Sequence, residues 1–366
     1  MTKKAIISGI CGMDASHLSD LLLGEGYKVV GFYRRSSSDK FDRIHHLLRD
    51  PNFSIEEGDI TDSHYISELI KREQADVFFN AAAQSHVGTS FKQPHLTFEV
   101  NTKGVLNILE AIRQYSPATK MIQFSTSEMW GNNIDDDNMQ RETTPFAPRS
   151  PYAVSKLAAF ELCRTYRESY DVFACSSICH NHTGPRRGDN FVEKKIVNWV
   201  SQNHHILSEG YEKIHQTMHI SSESKKKRYF FHTCNNGLRS RKSYEMLSLG
   251  NISPFRDFSH SKDCVRAIYM MSQMKQPKDY VVSSGVATSV EQLLETIFGF
   301  FNKDYRDFVY IDKDLYRPAE VDYLCGDCSL IRRELGWKPE YNLDKILKEM
   351  LDEQIEKAAT KVHSYS

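Results

Sequence analysis

Two short stretches of the chain contain side chains that can move protons to and from a hydroxyl group. The first is Ser125-Thr126-Ser127-Glu128, and the second runs from Tyr152 to Lys156. Residues four positions apart on a helix share a face, so the ammonium of Lys156 is predicted to lie near the phenol of Tyr152 and to lower its pKa. Such a phenol can take a proton from an alcohol while hydride leaves the same carbon. Thr126 offers a hydroxyl to the same oxygen, and Glu128 is a separate base.

The composition is that of an ordinary globular protein and argues against several classes of partner. The chain has 366 residues, 40% of them hydrophobic and 26% charged, enough for two domains or one large domain with an appended lobe. Its net charge of -1 favours neither nucleic acid nor an anionic membrane. No apolar run is long enough to span a bilayer or to form a signal peptide, and the eight scattered cysteines suggest reduced thiols. The sequence therefore predicts a cytoplasmic protein.

The first elements are predicted to be a strand, a glycine-containing turn and a helix. Lys4 to Ser8 is apolar, Gly9 and Gly12 follow, and leucines then recur with helical spacing up to Gly26. Glycines in such a turn allow backbone amides to approach a pyrophosphate at the amino terminus of the helix. The spacing G-x-x-G-x-x-A differs from the strict dinucleotide pattern, so an ordinary tight turn is the alternative.

The second predicted strand, Lys28 to Tyr33, ends at the basic run Arg34-Arg35-Ser36-Ser37. An acidic residue at this position would bind a ribose 2′-hydroxyl, whereas arginines and serines fit a 2′-phosphate. The run therefore favours NADP over NAD. A solvated basic loop is the alternative.

Further predicted strands end at polar or small residues in the same way. Because the carboxyl ends of parallel strands meet at one edge of a sheet, these residues are expected to line one crevice. The pattern predicts an α/β protein: a Rossmann-like doubly wound parallel sheet in residues 1–180, a smaller C-terminal substrate-binding lobe in 181–355 that is contributed with crossovers, and a frayed tail in 356–366. The remaining strands are predicted at Phe53 to Glu57, Val77 to Asn80, Met121 to Phe124 and Val172 to Cys179.

Several motifs give the chain a resemblance to a known family. They include Ala83-Gln84-Ser85-His86-Val87, Ser150-Pro151-Tyr152, Pro185-Arg186-Arg187-Gly188 and Arg317-Pro318-Ala319-Glu320-Val321-Asp322. With these residues, the chain resembles the extended short-chain dehydrogenase/reductases and, among them, the GDP-mannose 4,6-dehydratase family. The similarity runs from about residue 4 to 200 and from about 246 to 352.

The resemblance implies an NADP-dependent lyase of nucleotide-sugar metabolism, in the route to GDP-fucose, that assembles as a homodimer or homotetramer and needs no metal. It implies that Tyr152, Lys156, Thr126 and Glu128 are catalytic. Carried over position by position, the cofactor-binding residues are Gly9, Gly12, Met13, Asp14, Arg34, Arg35, Ser36, Asp59, Ile60, Ala83, Gln84, Ser85, Tyr152, Lys156, His182 and Arg187. The residues that bind the GDP-sugar are Ser85, Asn181, Val192, Lys195, Arg256, Arg317 and Glu320.

Three alternatives to this function stay open. Thr183-Gly184 precedes Pro185, and Thr-Gly is more typical of related 4-keto-sugar reductases. The substrate is thus GDP-mannose, a related GDP-heptose, or a GDP-4-keto sugar that is reduced or epimerised. Glu128 distinguishes these, because a reductase or epimerase needs no base for C5. A catalytically inactive NADP-binding scaffold is the third alternative, and the presence of all four catalytic residue types argues against it.

Residues 203–243 are predicted to be an insertion with no counterpart in the family. The segment is basic with interleaved aromatic residues, a composition that can bind nucleic acid but more often forms a solvated face. A metal site formed by His215, His219, His232 and Cys234 is another alternative. A surface excursion without chemistry, or a lid, is favoured. The isolated pair Cys325 and Cys328 does not predict a zinc site.

Overall fold

The computed structural model describes residues 2–37, 40–208, 212–213, 227–233 and 239–363. Its internal contacts divide the chain into two compact units. The first contains Met1–His182, Arg256–Ala287 and Val321–Asn342, and the second contains Thr183–Phe255, Thr288–Glu320 and Leu343–Ser366.

The secondary structure alternates between strands and helices through the first half of the chain. The strands are β1 (Lys4–Ser8), β2 (Lys28–Tyr33), β3 (Phe53–Glu57), β4 (Val77–Asn80), β5 (Lys120–Phe124), β6 (Ala174–Cys179), β7 (Asn181–Thr183), β8 (Glu212–Lys213), β9 (Lys227–Thr233), β10 (Arg239–Glu245), β11 (Leu247–Leu249), β12 (Phe255–His260), β13 (Tyr280–Val282), β14 (Ala287–Ser289) and β15 (Val309–Ile311). The helices are α1 (Met13–Gly24), α2 (Ser63–Glu73), α3 (Val87–Lys92), α4 (Pro94–Phe98), α5 (Gly104–Tyr115), α6 (Pro151–Tyr170), α7 (Val192–Gln202), α8 (His204–Ser208), α9 (Ser261–Ser272), α10 (Val290–Gly299), α11 (Ser329–Leu335) and α12 (Leu343–His363).

The first unit is built on a parallel sheet of seven strands in the order β3-β2-β1-β4-β5-β6-β13. Ser8 pairs in register with Asn80, and Asn80 pairs with Gln123. The chain runs outward from β1 in one direction to β3 and then in the other direction to β13, which is the doubly wound arrangement. The predicted fold class is therefore confirmed.

The two faces of this sheet bury alternate residues of the same strands. Ile6 and Phe78 point into a core cluster that includes residues of α2, α5 and α6. Ile7 and Phe79 point into a second cluster that includes residues of α1 and α9. Because both faces are covered by helices, the central strands are buried on both faces rather than alternating between buried and exposed residues.

The sequence analysis assigned residues 181–355 to a substrate-binding lobe contributed with crossovers, and the structure shows which of these residues lie in the first unit. Residues 256–287 and 321–342 pack within the first unit. The reason is that β13 extends the parallel sheet by pairing with β6, and α9 covers the face that α1 also covers. Sequence periodicity does not reveal that these segments return to the first unit, because a strand has the same local pattern of residues in either unit.

The second unit has an aromatic core. The ring of Trp199 lies 6.1 Å from that of Tyr244 and 5.9 Å from those of Phe298 and Phe308, and its indole N–H donates to the Glu245 carbonyl over 2.9 Å. Helix α7, which carries Trp199, packs against α12. These contacts join segments from three separate stretches of the chain.

The predicted insertion contains part of an antiparallel sheet in the order β10-β9-β8. Strands β9 and β10 pair over their full length, from Lys227 opposite Glu245 to Thr233 opposite Arg239. His215, His219 and Cys234 and the side chain of His232, which the metal-site alternative requires, lie outside the described residues.

The predicted frayed tail is instead helical as far as His363, because α12 continues through it. Lys357 forms an ion pair with Glu353, four residues earlier on the same helix, and such pairs stabilise helices. Within the part of the chain that the structure describes, no helix combines the length and the apolar character needed to cross a membrane.

Candidate active site

The turn between β1 and α1 can hold only glycine at its first position. Gly9 has a φ of +66°, and a Cβ atom there would lie 2.9 Å from the Cα atom of Ala82. The amide of Gly12 donates to the Gly9 carbonyl over 2.9 Å, and Gly12 begins α1 without a side-chain cap. The positive end of the helix dipole therefore faces the turn, and both features suit a bound diphosphate.

Two predicted cofactor residues that are far apart in sequence meet beside this turn. Nε2 of His182 lies 2.9 Å from Oδ2 of Asp14, which is in the first turn of α1. Nδ1 of His182 lies 2.9 Å from the carbonyl oxygen of His180. Since a carbonyl only accepts, Nδ1 carries the hydrogen of that bond.

The basic run after β2 is exposed. Arg34, Arg35 and Ser36 all have largely accessible side chains. Arg43 also reaches the turn, where its Nη1 donates to the Cys11 carbonyl over 3.1 Å. The sequence analysis did not single out Arg43, and no motif marks it, because it lies in a short 3-10 turn between β2 and β3.

Two further predicted cofactor positions follow β3. Oδ1 of Asp59 accepts hydrogen bonds from both the amide and the hydroxyl of Thr61, each over 2.9 Å. Ile60 is buried and packs against Gly104, where a Cβ atom would lie 2.6 Å from the Ile60 side chain. Asp59 is thus held in a fixed orientation at the edge of the sheet.

The loop after β4 is held by Asn101, a residue that the sequence analysis missed. Oδ1 of Asn101 accepts from the Gln84 amide over 2.9 Å, and its Nδ2 donates to the Gln84 carbonyl and to Oγ of Ser155. Asn101 therefore joins the loop of Ala83, Gln84 and Ser85 to helix α6. No spacing in the sequence indicates this role, since Ser155 is 54 residues away.

The predicted acid/base cluster directly follows β5. Thr126 is the cap of a 3-10 turn over Ser127–Trp130, and its Oγ1 accepts from the Glu128 amide over 3.3 Å. Ser127, Met129 and Trp130 are buried, whereas Glu128 is partly exposed. The turn therefore gives the carboxyl group of Glu128 access to solvent or a ligand.

Helix α6 positions Tyr152 and Lys156. It starts at that point because Ser150 caps it, with Oγ accepting from the Ala153 amide over 3.1 Å, and because Pro151 suits its first position. Tyr152 and Lys156 are both buried, and the Lys156 ammonium donates to the carbonyl of Phe124. This bond links the helix to the strand that leads into Thr126 and Glu128.

Burial changes the acid/base properties of Lys156. Loss of solvation on burial lowers the pKa of its ammonium to about 8. A lysine whose pKa is lowered towards neutral pH releases a proton more readily than an exposed lysine with the ordinary pKa. The sequence predicted its place beside Tyr152 but not this shift.

A chain of buried polar side chains crosses the carboxyl ends of three adjacent strands. Oγ of Ser8 donates to Oδ1 of Asn80 over 2.6 Å, and Nδ2 of Asn80 donates to Oε1 of Gln123 over 2.7 Å. Nε2 of Gln123 then donates to the Phe124 carbonyl, which also accepts from Lys156. The dinucleotide turn and the Tyr152–Lys156 helix are thus connected through hydrogen bonds. The sequence signal that could have revealed these hydrogen bonds is the polar residue near the carboxyl end of each of the three strands.

The residues predicted to bind the GDP-sugar are distributed over both units. Asn181, partly buried, and Arg256, buried, belong to the first. In the second unit, Nζ of Lys195 donates to the Ser248 carbonyl over 2.6 Å, and burial lowers the pKa of Lys195. Nη1 of Arg317 lies 3.5 Å from Oε1 of Glu320.

Arg187, predicted to contact the cofactor, is held within the second unit. Its Nε donates to Oε1 of Glu193 over 2.7 Å, and its guanidinium carbon lies 3.4 Å from the centre of the Phe191 ring. Val192, a predicted substrate residue, is the first residue of α7 next to this pair.

Comparison with known protein families identifies the family of the chain. A family model described as GDP-mannose 4,6 dehydratase matches residues 6–217 and 220–350. The chain belongs to this family. The match includes residues 203–217 and 220–243, so the prediction that residues 203–243 have no counterpart in the family is wrong.

Members of the family from distant organisms are similar over nearly their whole length. GDP-mannose 4,6 dehydratase 2 of Arabidopsis thaliana is 38% identical over 97% of this chain and 88% of its own. The GDP-mannose 4,6-dehydratase of Vibrio cholerae serotype O1 is 36% identical over 100% of this chain and 98% of its own, and that of Homo sapiens is 34% identical over 96% and 91%.

Solved structures show the same fold at low identity. The dTDP-glucose 4,6-dehydratase of Bacillus anthracis, in complex with NAD, matches with a TM-score of 0.77 at 19% identity, covering 98% of both chains. The UDP-glucose 4-epimerase of Thermotoga maritima, with UDP-glucose, matches with a TM-score of 0.76 at 20% identity, covering 98% of this chain and 99% of its own.

Proposed function

We propose that the protein converts GDP-mannose to GDP-4-keto-6-deoxymannose. The observation that carries this proposal is the link between its two proton-transfer clusters: Lys156 donates to the carbonyl of Phe124, and that strand leads directly into Thr126 and Glu128. The reaction needs one group that deprotonates a hydroxyl and a second, independent base, and these two clusters contain both.

The residues around the first turn fit NADP. Gly9 leaves room for a phosphate where a Cβ atom would clash, the amino terminus of α1 favours a diphosphate, and exposed arginines follow β2 where a 2′-phosphate would lie. Asp14, Arg34, Arg35, Asp59 and Gln84 would hold this cofactor together with the remaining predicted positions. The chemistry that a bound nicotinamide supplies is hydride acceptance from C4 of the hexose and hydride return to C6, with no net consumption of cofactor.

Oxidation at C4 requires a base for the hydroxyl proton. Tyr152 takes that proton, and the ammonium of Lys156 favours the phenolate form that does so. Thr126 donates a hydrogen bond to the same substrate oxygen and orients it. Asn101 keeps α6 in place through Ser155, so it is a positioning residue for Tyr152.

Elimination requires the second base. A ketone at C4 makes the C5 hydrogen acidic, so Glu128 takes the C5 proton, a C5–C6 double bond forms and the C6–oxygen bond breaks. The protonated carboxyl then gives its proton to the leaving hydroxide, which departs as water. C5 later regains a proton from solvent, so the net change is the loss of one water.

Arginine and lysine side chains suit the GDP half of the substrate. The planar guanidinium of Arg256 or Arg317 can donate two parallel hydrogen bonds to a phosphate, and Lys195 adds a positive charge. Asn181, Val192 and Glu320 complete the proposed nucleotide-sugar site, with Ser85 near the hexose.

The test is incubation of purified protein with GDP-mannose in deuterated water, followed by mass spectrometry. We expect a product lighter by one water with deuterium at C5 and no net reduction of NADP. Glu128→Gln is expected to abolish this product while retaining bound cofactor, which heat denaturation releases for identification as NADP or NAD. Exposed Glu168→Gln is the matched control.

Other outcomes would contradict the proposal. A Glu128→Gln variant as active as the wild type would exclude Glu128 as the C5 base. No turnover of GDP-mannose by protein that contains NADP would exclude this substrate, and turnover of a GDP-heptose or a GDP-4-keto sugar would then identify the alternative. Absence of any nicotinamide nucleotide would favour the inactive scaffold.

A further inference from the structure

A buried glutamine, Gln123, binds the same carbonyl oxygen as the Lys156 ammonium. Gln123 is in β5 and is only 1% exposed. Its Nε2 donates to the Phe124 carbonyl over 2.8 Å, and Nζ of Lys156 donates to the same oxygen. A carbonyl oxygen has two lone pairs, so it can accept both bonds at once. Because both nitrogens are hydrogen-bonded to one oxygen, they lie no more than about 6 Å apart.

The side chains that lead to Gln123 come from one face of the parallel sheet. Ser8 pairs in register with Asn80, and Asn80 pairs in register with Gln123, so the three side chains project to the same side. Alternate residues of a strand share a face, so Ser8 and Asn80 lie on the face of Ile6 and Phe78, which α6 covers. This row of polar side chains is therefore on the side of the sheet where Lys156 lies.

Backbone groups at the two ends of the row fix the orientation of each side chain in it. The Ala82 amide donates to Oγ of Ser8 over 3.0 Å, and the Ser8 hydroxyl donates to Oδ1 of Asn80. Nδ2 of Asn80 donates to Oε1 of Gln123, which leaves Nε2 of Gln123 for the Phe124 carbonyl. A backbone N–H only donates and a carbonyl only accepts, so neither amide group can turn over without breaking buried hydrogen bonds.

We propose that Gln123 is a positioning residue for Lys156. It holds the Phe124 carbonyl in the direction of the ammonium, and this bond holds Lys156 close to Tyr152, four residues earlier on α6. This role rests on the proposed function, in which Lys156 acts on Tyr152. An apolar side chain of the same length would suit a strand that is buried on both faces, but it would remove one donor from the carbonyl.

The first test is turnover of GDP-mannose by the full-length Gln123→Met variant, which keeps the length of the side chain and removes its hydrogen bonds. We expect kcat to fall by about 10- to 100-fold, because misplacement of a catalytic group by about 1 Å has effects of this size. KM and the amount of bound nicotinamide nucleotide should not change. Gln140→Met is the matched control, because Gln140 is buried in the same unit and its amide donates to the Asn133 carbonyl over 3.0 Å. It should lower stability in urea to a similar extent without lowering kcat.

The second test needs no turnover, so it separates the position of Gln123 from the proposed function. NMR of protein labelled with ¹³C at the lysine ε-carbon follows the titration of Lys156, whose signal is the one absent from Lys156→Met. Gln123→Glu places a carboxylate near the ammonium, so the pKa of Lys156 should rise from about 8 towards 10.5. Gln140→Glu should leave this pKa unchanged. The thiols of Cys163 on α6 and Cys179 on β6, which also act on Lys156, are the same in every variant.

Three results would overturn this role of Gln123. They are an unchanged titration of Lys156 in Gln123→Glu, a kcat of Gln123→Met equal to that of the wild type, and equal losses of kcat in Gln123→Met and Gln140→Met. The last of these would indicate that Gln123 contributes to stability alone. A wild-type protein that contains NADP but does not turn over GDP-mannose would contradict the proposed function instead, and the titration would still decide whether Gln123 lies against the Lys156 ammonium.

Discussion

At the scale of single residues, Lys156 combines a requirement of the reaction with a cost in stability. The residue is only 3% exposed, its ammonium donates to the carbonyl of Phe124, and burial lowers its pKa to about 8 from an ordinary 10.5. The folded protein therefore holds the charged form less readily than the unfolded chain does. The same burial places the group against the strand that leads to Thr126.

Replacing Lys156 with Met is expected to stabilise the fold at neutral pH and to abolish activity. A lowered folded-state pKa means that the unfolded chain binds more protons between pH 8 and 10.5, so the charged lysine destabilises the protein below pH 8 and this penalty fades as pH rises through that window. The gain at about pH 7 is up to about 3 kcal/mol, and it should shrink at about pH 9.5. Urea unfolding of both proteins at the two pH values measures it.

The control for this prediction is Lys71→Met, which removes an ammonium on the surface, where the Lys71 side chain is 42% exposed and forms an ion pair with Glu68. Its effect on the free energy of unfolding should be small and nearly independent of pH. An unfolding free energy of Lys156→Met that falls below that of the wild type at neutral pH would show that the bond to Phe124 outweighs the cost of burial.

At the scale of secondary-structure elements, the β1–α1 turn shows how one backbone conformation supports a site. Gly9 combines a positive φ with a close approach to Ala82, whereas Gly26, at the other end of α1, has a φ of +78° but no neighbouring atom within 4 Å of a Cβ position. A side chain at Gly9 would therefore meet both conformational strain and steric overlap, whereas a side chain at Gly26 would meet conformational strain alone.

Gly9→Ala is expected to destabilise the fold by at least about 2 kcal/mol and to release the cofactor, because strain and overlap add. Gly26→Ala should cost only about 1 kcal/mol and leave cofactor binding unchanged, because it adds strain alone. Thermal unfolding and the amount of nicotinamide nucleotide that co-purifies would measure both effects. Equal losses in the two variants would refute a special role for the contact with Ala82.

Elements and motifs differ in how well the sequence predicted them. Strands β1 to β4 have the predicted bounds, because continuous apolar runs between turn residues define them locally. Strand β6 begins at Ala174, two residues later than predicted, and α12 extends through the expected frayed tail. Element ends depend on caps and pairing partners, which apolar periodicity does not reveal.

At the scale of the whole molecule, the exposed arginines after β2 bear on assembly. We propose, from the family resemblance, that this loop approaches the cofactor of a neighbouring subunit, since Arg34 and Arg35 are both accessible in one chain. We expect a homodimer or homotetramer in solution, with mass two or four times that of a single chain, measured by sedimentation.

Arg35→Glu tests this assembly directly. Reversal of charge beside a neighbour's phosphates should shift the population towards single chains and weaken cofactor binding, because like charges repel. Arg333→Glu, which changes a side chain that is 68% exposed, should not change the mass. A monomeric wild-type protein with full activity would contradict the prediction.

The sequence by itself determined what depends on neighbouring residues: the strand–turn–helix order, the helix that carries both Tyr152 and Lys156, and the glycine at position 9. Local sterics and apolar periodicity act over a few residues, so one stretch of chain is enough to predict them.

Only the tertiary structure decided which distant side chains meet. The bonds from Ser8 to Asn80 and from Asn80 to Gln123 span 72 and 43 residues, and the approach of Cys179 to Cys264 depends on where β6 and α9 lie in the first unit. Such contacts follow from strand order and helix packing around the whole sheet. These are set by the summed burial of many side chains, and no single motif encodes them.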